Sequence, residues 1–492
     1  MKQAFEKKEL KKKSENLSDW YTDVILKAEI ADYAPVKGCM VIRPYGYALW
    51  EKVQEIFNGM MKTKDVQNAY FPLFIPLSLL EKEKEHVAGF SPQLAVVTIA
   101  GGEKLKDPLV VRPTSETIMY AMYAKWVHSW RDLPVLINQW NNVVRWEKRT
   151  YLFLRTTEFL WQEGHTAHET EKEAMNMVLA ALDWYRQVYE DYFAVPVVYG
   201  RKSESEKFAG GKATYGIEAL MPDGKALQAA TSHNLGQNFS KVFEIQFQNR
   251  EGKMDHVWQT SWGLSTRSLG GLFLTHGDDN GLIFPPKIAP VQVVIVPIKK
   301  SGGHERELLT YCQDIKEALT NGGIRVRLDD RQEPSVGRRF NEWEVKGVPI
   351  RFEVGEKEVG DRTVTIARRD TGEKVTVTRE TMLVQTERLL GEIQKALYQR
   401  AKTFLDENTR EAATYDEFKN IMSTTRGFIR AFWCEDADCE ATIKKETKAS
   451  TRCLPFEALA KEGLPLDAKE EKGLCVHCGK PATHRWFFAQ AY

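Results

Sequence analysis

The sequence predicts three successive units of mixed α and β structure: a large α+β domain on an antiparallel sheet, an α/β domain, and a small cysteine-bearing α/β domain. Three observations carry this. The segment 143–165, VVRWEKRTYLFLRTTEFLWQEGH, reads as two strands with a polar connection. After Pro285, Pro286 and Pro290 the text alternates strand, helix, strand, helix, strand. Five of the seven cysteines fall after residue 430. A chain of 492 residues is also too long for one core, so two or three domains are expected.

Composition narrows the class. Hydrophobic content of 42% and charged content of 28% belong to a soluble globular protein. No apolar run is long enough to span a bilayer, and the basic start MKQAFEKKELKKKSENLSDW has no apolar core or cleavage site, so a cytoplasmic protein without a membrane partner is expected. A net charge of +1 offers no global argument for nucleic acid, leaving only local patches. Clustered cysteines in such a compartment point to a metal site rather than disulfides.

Taken in order, the Lys-rich start reads as a solvated helical extension. KGCMVIRPYGYALWEKVQEIFNGMM reads as a strand, a turn at Pro44-Tyr45-Gly46 and an amphipathic helix with Leu49, Val53, Ile56, Phe57 and Met60 in step. That face packs on its own core or on a second subunit. Thr114-Ser115-Glu116-Thr117 before an apolar run reads as a helix start with Thr114 or Ser115 as N-cap. Glu116 there serves the helix dipole or, with Thr114, meets a substrate amine.

In the hairpin, Val143-Val144 and Phe153-Leu154 read as strand cores and Lys148 to Thr150 as the connection. Period two then places Arg145 and Glu147 on one face and Trp146 on the other. Such a platform can hold an anion and a donor together, or form a surface ion-pair ladder. Glu169 to Tyr192 reads as a core helix with Val178, Leu182, Tyr185 and Tyr189 in one stripe. Strands Val195 to Val198, Ala213 to Leu220 and Lys225 to Ala230 flank GRKSESEKFAGGK and lead into AATSHNLGQNFS, where Gln228, Thr231 and His233 lie close. His233 reads as a hydrogen-bonded pocket group. Arg267 opens a helix containing Gly270-Gly271, where a buried cation calls for an anionic partner.

The second domain runs through VQVVIVPI, a helix Leu308 to Leu319, GIRVRLDD, a helix Arg338 to Val345, PIRFEVG and a hairpin across Asp370-Thr371-Gly372. Without a nucleotide-binding glycine fingerprint it reads as a recognition module. In the tail, Cys434-x4-Cys439 and Cys475-x2-Cys478 supply four thiolates for tetrahedral zinc, a closed and hence structural site. Cys453, His477 and His484 nearby leave the ligand set open.

Pro44, Arg145-x-Glu147 with Arg155, and Gly263-Leu264-Ser265-Thr266-Arg267 resemble, in that order, the three signature motifs of class II aminoacyl-tRNA synthetases. RPTSET, FLRTTEFLWQEGH, EKFAGG, TSHNLGQNFS and WGLSTR resemble the prolyl-tRNA synthetase family of the archaeal and eukaryotic type, from about Asp19 to Tyr492. The resemblance implies a basic extension 1–18, a class II catalytic domain 19–286, an anticodon-binding domain 287–398 and a zinc-binding domain 399–492. It implies activation of L-proline by ATP and transfer to tRNA(Pro) during translation. Arg145 and Arg267 would be catalytic. ATP would meet Arg145, Glu147, Arg155, Thr156, Gln228, Thr231, Ser265 and Arg267, with Mg²⁺ helped by Gln228. Proline would meet Thr114, Glu116, Arg145, Trp161, Glu163, Phe208, His233 and Ser261. Glu344 and Arg351 would read anticodon guanines, Cys434, Cys439, Cys475 and Cys478 would hold structural Zn²⁺, and a homodimer would form around Pro44.

The interval between the hairpin and the Arg267 helix is too short for an inserted editing domain, so alanine must be discriminated elsewhere or incompletely. The resemblance also implies that Tyr492, matching the family's terminal Tyr, brings its carboxylate toward the catalytic domain. Two other classes stay open: a non-catalytic tRNA-binding paralogue, and a zinc-dependent nucleic-acid binder whose tail is the functional part.

Overall fold

A computed structural model describes residues 10–82, 94–299, 305–456 and 471–492. The first nine residues of the basic extension lie outside them. Helix α1 (Leu17–Lys27) is capped by the Asn16 side chain and buries Trp20, Tyr21, Val24 and Ile25. Helix α2 (Pro44–Lys62) begins on Pro44 itself. What reads as a turn at Pro44-Tyr45-Gly46 is its first turn, where proline's missing N–H would have no helical partner anyway. Its Leu49, Trp50, Val53 and Phe57 pack into this chain's own core. Helix α3 (Glu116–Trp126) follows.

The organising sheet contains β1 (Val135–Val144), β2 (Glu158–His168), β3 (Val197–Arg201), β4 (Ala213–Leu220), β5 (Ala226–Gly236) and β6 (Trp258–Ser265). Their order is β3-β4-β5-β6-β2-β1, antiparallel throughout. Helix α4 (Glu171–Gln187) lies behind β5 and β6 and buries Val178, Leu182, Trp184 and Tyr185. Tyr185 Oη donates to Gln162 Oε1 at 2.7 Å and Ser232 Oγ to the Val178 carbonyl at 2.9 Å. On that covered face Gly164 makes room for Trp262, since a Cβ there would lie 2.2 Å from the indole. Helix α5 (Arg267–His276) leaves the end of β6.

The hairpin departs from its sequence reading. The strands are longer and end at Val144 and Glu158, so residues 145–157 are connection, and Trp146 is exposed. Phe153 and Leu154 are not strand cores. Phe153 has φ +61° in a tight turn closed by a Tyr151–Arg155 bridge. Their hydrophobicity serves tertiary packing: Phe153 meets the Phe273 ring edge-on at 5.3 Å, and Gly270 of α5 accommodates Leu154. The other spans shift modestly. Lys225 to Ala230 is the start of β5, and the helix read over Glu169 to Tyr192 ends in one π-helical turn, Val188–Tyr192.

The second domain is a five-stranded mixed sheet: β7 (Val293–Pro297), β8 (Val326–Leu328), β9 (Ile350–Val354), β10 (Thr363–Arg368) and β11 (Lys374–Thr378). Helices α6 (Glu305–Asn321) and α7 (Val336–Val345) connect its parallel strands. Helix α8 (Met382–Glu407) then leads to the tail. There β12 (Thr409–Glu411), α9 (Tyr415–Ser423), β13 (Phe428–Phe432), α10 (Ala437–Thr447), β14 (Ala449–Pro455) and β15 (Arg485–Gln490) follow.

These four strands do not form a separate sheet, unlike the short pair Gly473–Leu474 and Pro481–Ala482. β14 pairs with β3 through Leu454↔Arg201 and Pro455↔Gly200, so the order β12-β13-β15-β14 continues directly into the organising sheet. The seam is polar and buried. Glu218 of β4 takes Lys202 Nζ at 2.5 Å and Arg452 of β14 at 2.7 Å, with side chains 0%, 1% and 5% exposed. Tyr492 reaches the same sheet, its N–H donating to the Ala226 carbonyl at 3.1 Å.

Candidate active site

The uncovered face of the sheet forms the floor of a cavity of about 240 Å³. Strand registers explain its layout. One row across the sheet runs His165, Ser261, His233, Thr214; the next runs Gln139, Glu163, Gly263, Thr231, Gly216. A third sets Trp161 opposite Ser265. Because side chains alternate, these residues face one way while Gln162 and Trp262 face α4. Gly263 leaves the centre of the floor open.

At the His165 end the walls are acidic and hydrogen-bonded. Glu163, buried, accepts from Ser115 N at 3.1 Å, Gln139 Nε2 at 3.2 Å, Asn141 Nδ2 at 2.5 Å and the Ser115 hydroxyl. His165 Nε2 lies 3.1 Å from the same carboxylate, and the Tyr120 hydroxyl lies 3.3 Å from Nδ1. Burial pushes Glu163 upward, but His165, Ser115 and Asn141 outweigh it and hold the carboxyl below its ordinary value. Burial likewise pulls His165 down, and the charges of Glu116 and Glu163 overcome it and raise the imidazole. Ser115 is the N-cap of α3, yet its side chain serves Glu163 instead of the helix. Thr114 donates its hydroxyl to Glu116. Arg112, fully buried against the Phe71 and Asn142 carbonyls at 2.7 and 2.8 Å, fixes the segment that presents both.

At the other end are two arginines. Arg145 leaves β1 with its N–H on the Thr157 carbonyl at 2.8 Å and its Nε on the Pro113 carbonyl at 3.0 Å. Its guanidinium lies 5.5 Å from the Phe159 ring and 5.3 Å from that of Trp161. Burial pulls it down to about 10, opposed by Glu116 and reinforced by Arg267. Arg267, the first residue of α5, donates Nε to the Leu154 carbonyl at 2.9 Å, and burial together with Arg155 lowers it. Two half-buried, mutually repelling cations at one end of a cavity suit an anion with several oxygens.

The structure brings all eight expected amino-acid-pocket residues to the cavity, together with Gln228, Thr231, Ser265 and Arg267. Among the described residues, the buried Ser261 Oγ and Trp161 Nε1 have no hydrogen-bond partner. Such atoms are costly unless a ligand or water meets them. His233 bridges Thr214 Oγ1 at 2.9 Å and Thr231 Oγ1 at 3.0 Å, with Phe208 against it at 4.6 Å.

Other expected residues stand outside the lining. Glu147 and Arg155 pair with each other at 2.9 Å, and Thr156, buried, gives its hydroxyl to the Glu158 carbonyl at 2.7 Å. Glu344 lies near the end of α7 with its carbonyl taking Arg369 Nε at 3.0 Å. Arg351 on β9 stacks on Phe340 at 4.1 Å and pairs with Glu353 at 2.8 Å. Sequence reasoning gave no role to Phe159, His165, Thr214 and Glu206, which also line the cavity. The first two were available by stepping two residues either way from Trp161 and Glu163; Thr214 needed the β4–β5 register.

In the tail, Cys434, Cys439, Cys475 and Cys478 converge, with Sγ pairs 3.6 and 3.7 Å apart. A tetrahedral zinc with bonds of about 2.3 Å requires sulfur separations of about 3.8 Å, so these residues fit it. Cys453 is buried in a separate apolar cluster, and His484 pairs with Glu435 at 3.2 Å. His477 stays close, its Nδ1 2.9 Å from Cys439 Sγ.

Comparison with known proteins agrees with this geometry. Residues 98–275 match the family described as tRNA synthetase class II core domain (G, H, P, S and T). Residues 292–385 match the anticodon binding domain, and 415–492 the prolyl-tRNA synthetase C-terminal domain. The chain is 51% identical over 487 residues to the proline–tRNA ligase of Natranaerobius thermophilus, covering 99% of this chain and 98% of that one. It is 51% identical over 481 residues to that of Chlorobaculum tepidum, covering 98% of each. It is 49% identical over 489 residues to that of Borreliella burgdorferi, covering 98% and 99%.

Proposed function

The chain belongs to the prolyl-tRNA synthetase family, and from that premise we propose that its sheet cavity activates L-proline with ATP and passes the prolyl group to tRNA(Pro). The observation that carries this reading is the polarity of the cavity, carboxylates and His165 at one end and Arg145 and Arg267 at the other. An amino acid and a polyphosphate make opposite demands, and the two ends meet them. Glu116 and Thr114 would take the imino group of proline, while Trp161, Glu163, Phe208, His233 and Ser261 shape its pocket. A carboxylate oxygen of proline would attack the α-phosphorus, the bond to pyrophosphate would break, and Arg145 and Arg267 would stabilise the charge gathering on the α-phosphate oxygens.

Thr156, Thr231 and Ser265 would flank the nucleotide. The ion pair between Glu147 and Arg155 would be exchanged for the adenine amino group on one and the γ-phosphate on the other. Gln228, the amide at the cavity edge, would offer Mg²⁺ one oxygen ligand; the ion would supply charge neutralisation on the phosphates. No side chain need act as nucleophile, so rate would come from orientation and electrostatics. In the second step a hydroxyl of the terminal ribose would attack the prolyl carbonyl carbon and AMP would leave. The direct test is amino-acid-dependent exchange of pyrophosphate into ATP. Proline alone among amino acids of its size should support it strongly; no exchange with any amino acid from folded protein would leave a non-catalytic tRNA-binding role.

Two further assignments belong to this reading. Arg351 and Glu344 would meet anticodon guanines, Arg351 with its fork already stacked on Phe340. Arg351→Ala is expected to cut tRNA charging at least about tenfold while leaving exchange unchanged, the loss of roughly one base-edge contact. Equal charging by variant and parent would reject it. The four cysteines would hold Zn²⁺, whose binding contributes on the order of 10 kcal/mol to such folds. One zinc per chain by elemental analysis, and a lower thermal midpoint after chelation, are expected; a zinc-free chain with an unchanged midpoint would contradict the assignment. A cytoplasmic homodimer would use the strand and helix around Pro44, where Val41 and Tyr47 are exposed.

A further inference from the structure

The segment from Lys202 to Phe208 supplies Glu206 and Phe208 to the cavity wall, and it is irregular, polar and charged. Its own bonds are local, a turn from Glu206 N to the Ser203 carbonyl at 3.2 Å and an exposed Lys207–Glu204 pair at 2.6 Å, and they do not place it against the cavity. The structure ties it at both ends. On the cavity side, Phe208 N donates to Thr214 Oγ1 at 2.8 Å, the same hydroxyl that meets His233. The other tie comes from the tail. Glu440, the residue after Cys439 on α10 and only 4% exposed, accepts from Ser203 Oγ at 2.9 Å, Ser205 Oγ at 2.5 Å and the Thr451 hydroxyl. One helical turn further, Lys444 Nζ pairs with Glu206 at 2.9 Å.

We propose that Glu440 is a positioning residue for amino-acid binding: its buried carboxylate gathers the Ser203 and Ser205 hydroxyls and so fixes the loop that sets Glu206 and Phe208 against the substrate. The inference rests on the reading of Phe208 as a wall of the proline pocket. A carboxylate with three converging hydroxyl donors is a directional clamp: without it the buried Ser203 and Thr451 hydroxyls would keep only each other, at 2.9 Å, and Ser205, nearer the surface, would turn to solvent. With zinc on the cysteine cluster beside Glu440, as proposed, the first turn of α10 would be anchored as a base for the clamp. Fold stability alone does not require these contacts, since Lys202–Glu218–Arg452 and the β3–β14 pairing already join tail to sheet. The serines add only the shape of the loop.

The test is steady-state exchange by full-length Glu440→Ala, the double variant Ser203→Ala/Ser205→Ala, their combination, and Phe208→Ala. Glu440→Ala and the serine pair should each raise KM for proline about tenfold, leaving kcat and KM for ATP within about twofold. Combined, they should be no worse than Glu440→Ala, because they remove the same contacts. If Glu440→Ala does not fold, the serine pair, which leaves α10 intact, decides. An unchanged KM for proline in the folded serine pair, or a fall in kcat alone, overturns the proposal. Should Phe208→Ala leave KM for proline unchanged, the pocket reading fails and takes the inference with it; should it raise KM while the serine pair does not, only the clamp is lost.

Discussion

Arg145→Ala is expected to lower proline-dependent exchange of pyrophosphate into ATP by about 10²–10³-fold, the usual loss when a preorganised donor aimed at developing charge is removed. The residue cannot be replaced by a neighbour. It is half-buried, held by the Pro113 carbonyl and flanked by the Phe159 and Trp161 rings. It also balances Glu116 and Glu163, so its loss leaves negative charge beside the proline carboxylate and should raise KM for proline as well as lower kcat. Arg145→Lys keeps a charge but not the planar fork, and should recover only part of the activity. A loss below about tenfold in the alanine variant would mean that the adenylate chemistry lies elsewhere.

Glu218→Gln should cost about 3–5 kcal/mol of stability, because it leaves Lys202 and Arg452 buried without their counter-charge. Denaturant titration measures this, and a change under about 1 kcal/mol would refute it. The same triad makes stability depend on acid. Burial raises the Glu218 carboxyl, but Arg452 and Lys202 more than compensate and hold it below its ordinary value. A group lowered on folding stabilises fully above its unfolded value of about 4.3 and loses that contribution as pH falls through the lower, folded one. The parent should therefore lose stability below about pH 4, and Glu218→Gln should show a shallower dependence there.

The sequence made β4 and β5 legible because apolar runs there are bounded by polar, glycine-bearing segments, and Thr114-Ser115 and Pro44 mark two helix starts; period two, applied to residues 145–147, failed because they lie in the connection. It misled at Phe153-Leu154, where a hydrophobic pair looks like a strand but fills a space under α5. The pocket was legible through a family pattern of short motifs, while its packing logic was not. Glu163 is fixed by Ser115 and Asn141 across strands, and Thr214 reaches His233 only through register. Least legible were the long-range ties: Ser203 meets Glu440 237 positions away, and Glu218 meets Arg452 234 positions away. No local propensity reports such a contact.

The continuous sheet has a consequence for how the chain is born. As it leaves the ribosome, β3 must wait for β14, and Glu218 for a partner 234 positions downstream. Until then β3 shows an open edge, a template for pairing with any other chain, above a buried charge still missing one counter-ion. A nascent or truncated copy is thus sticky where the finished one is sealed.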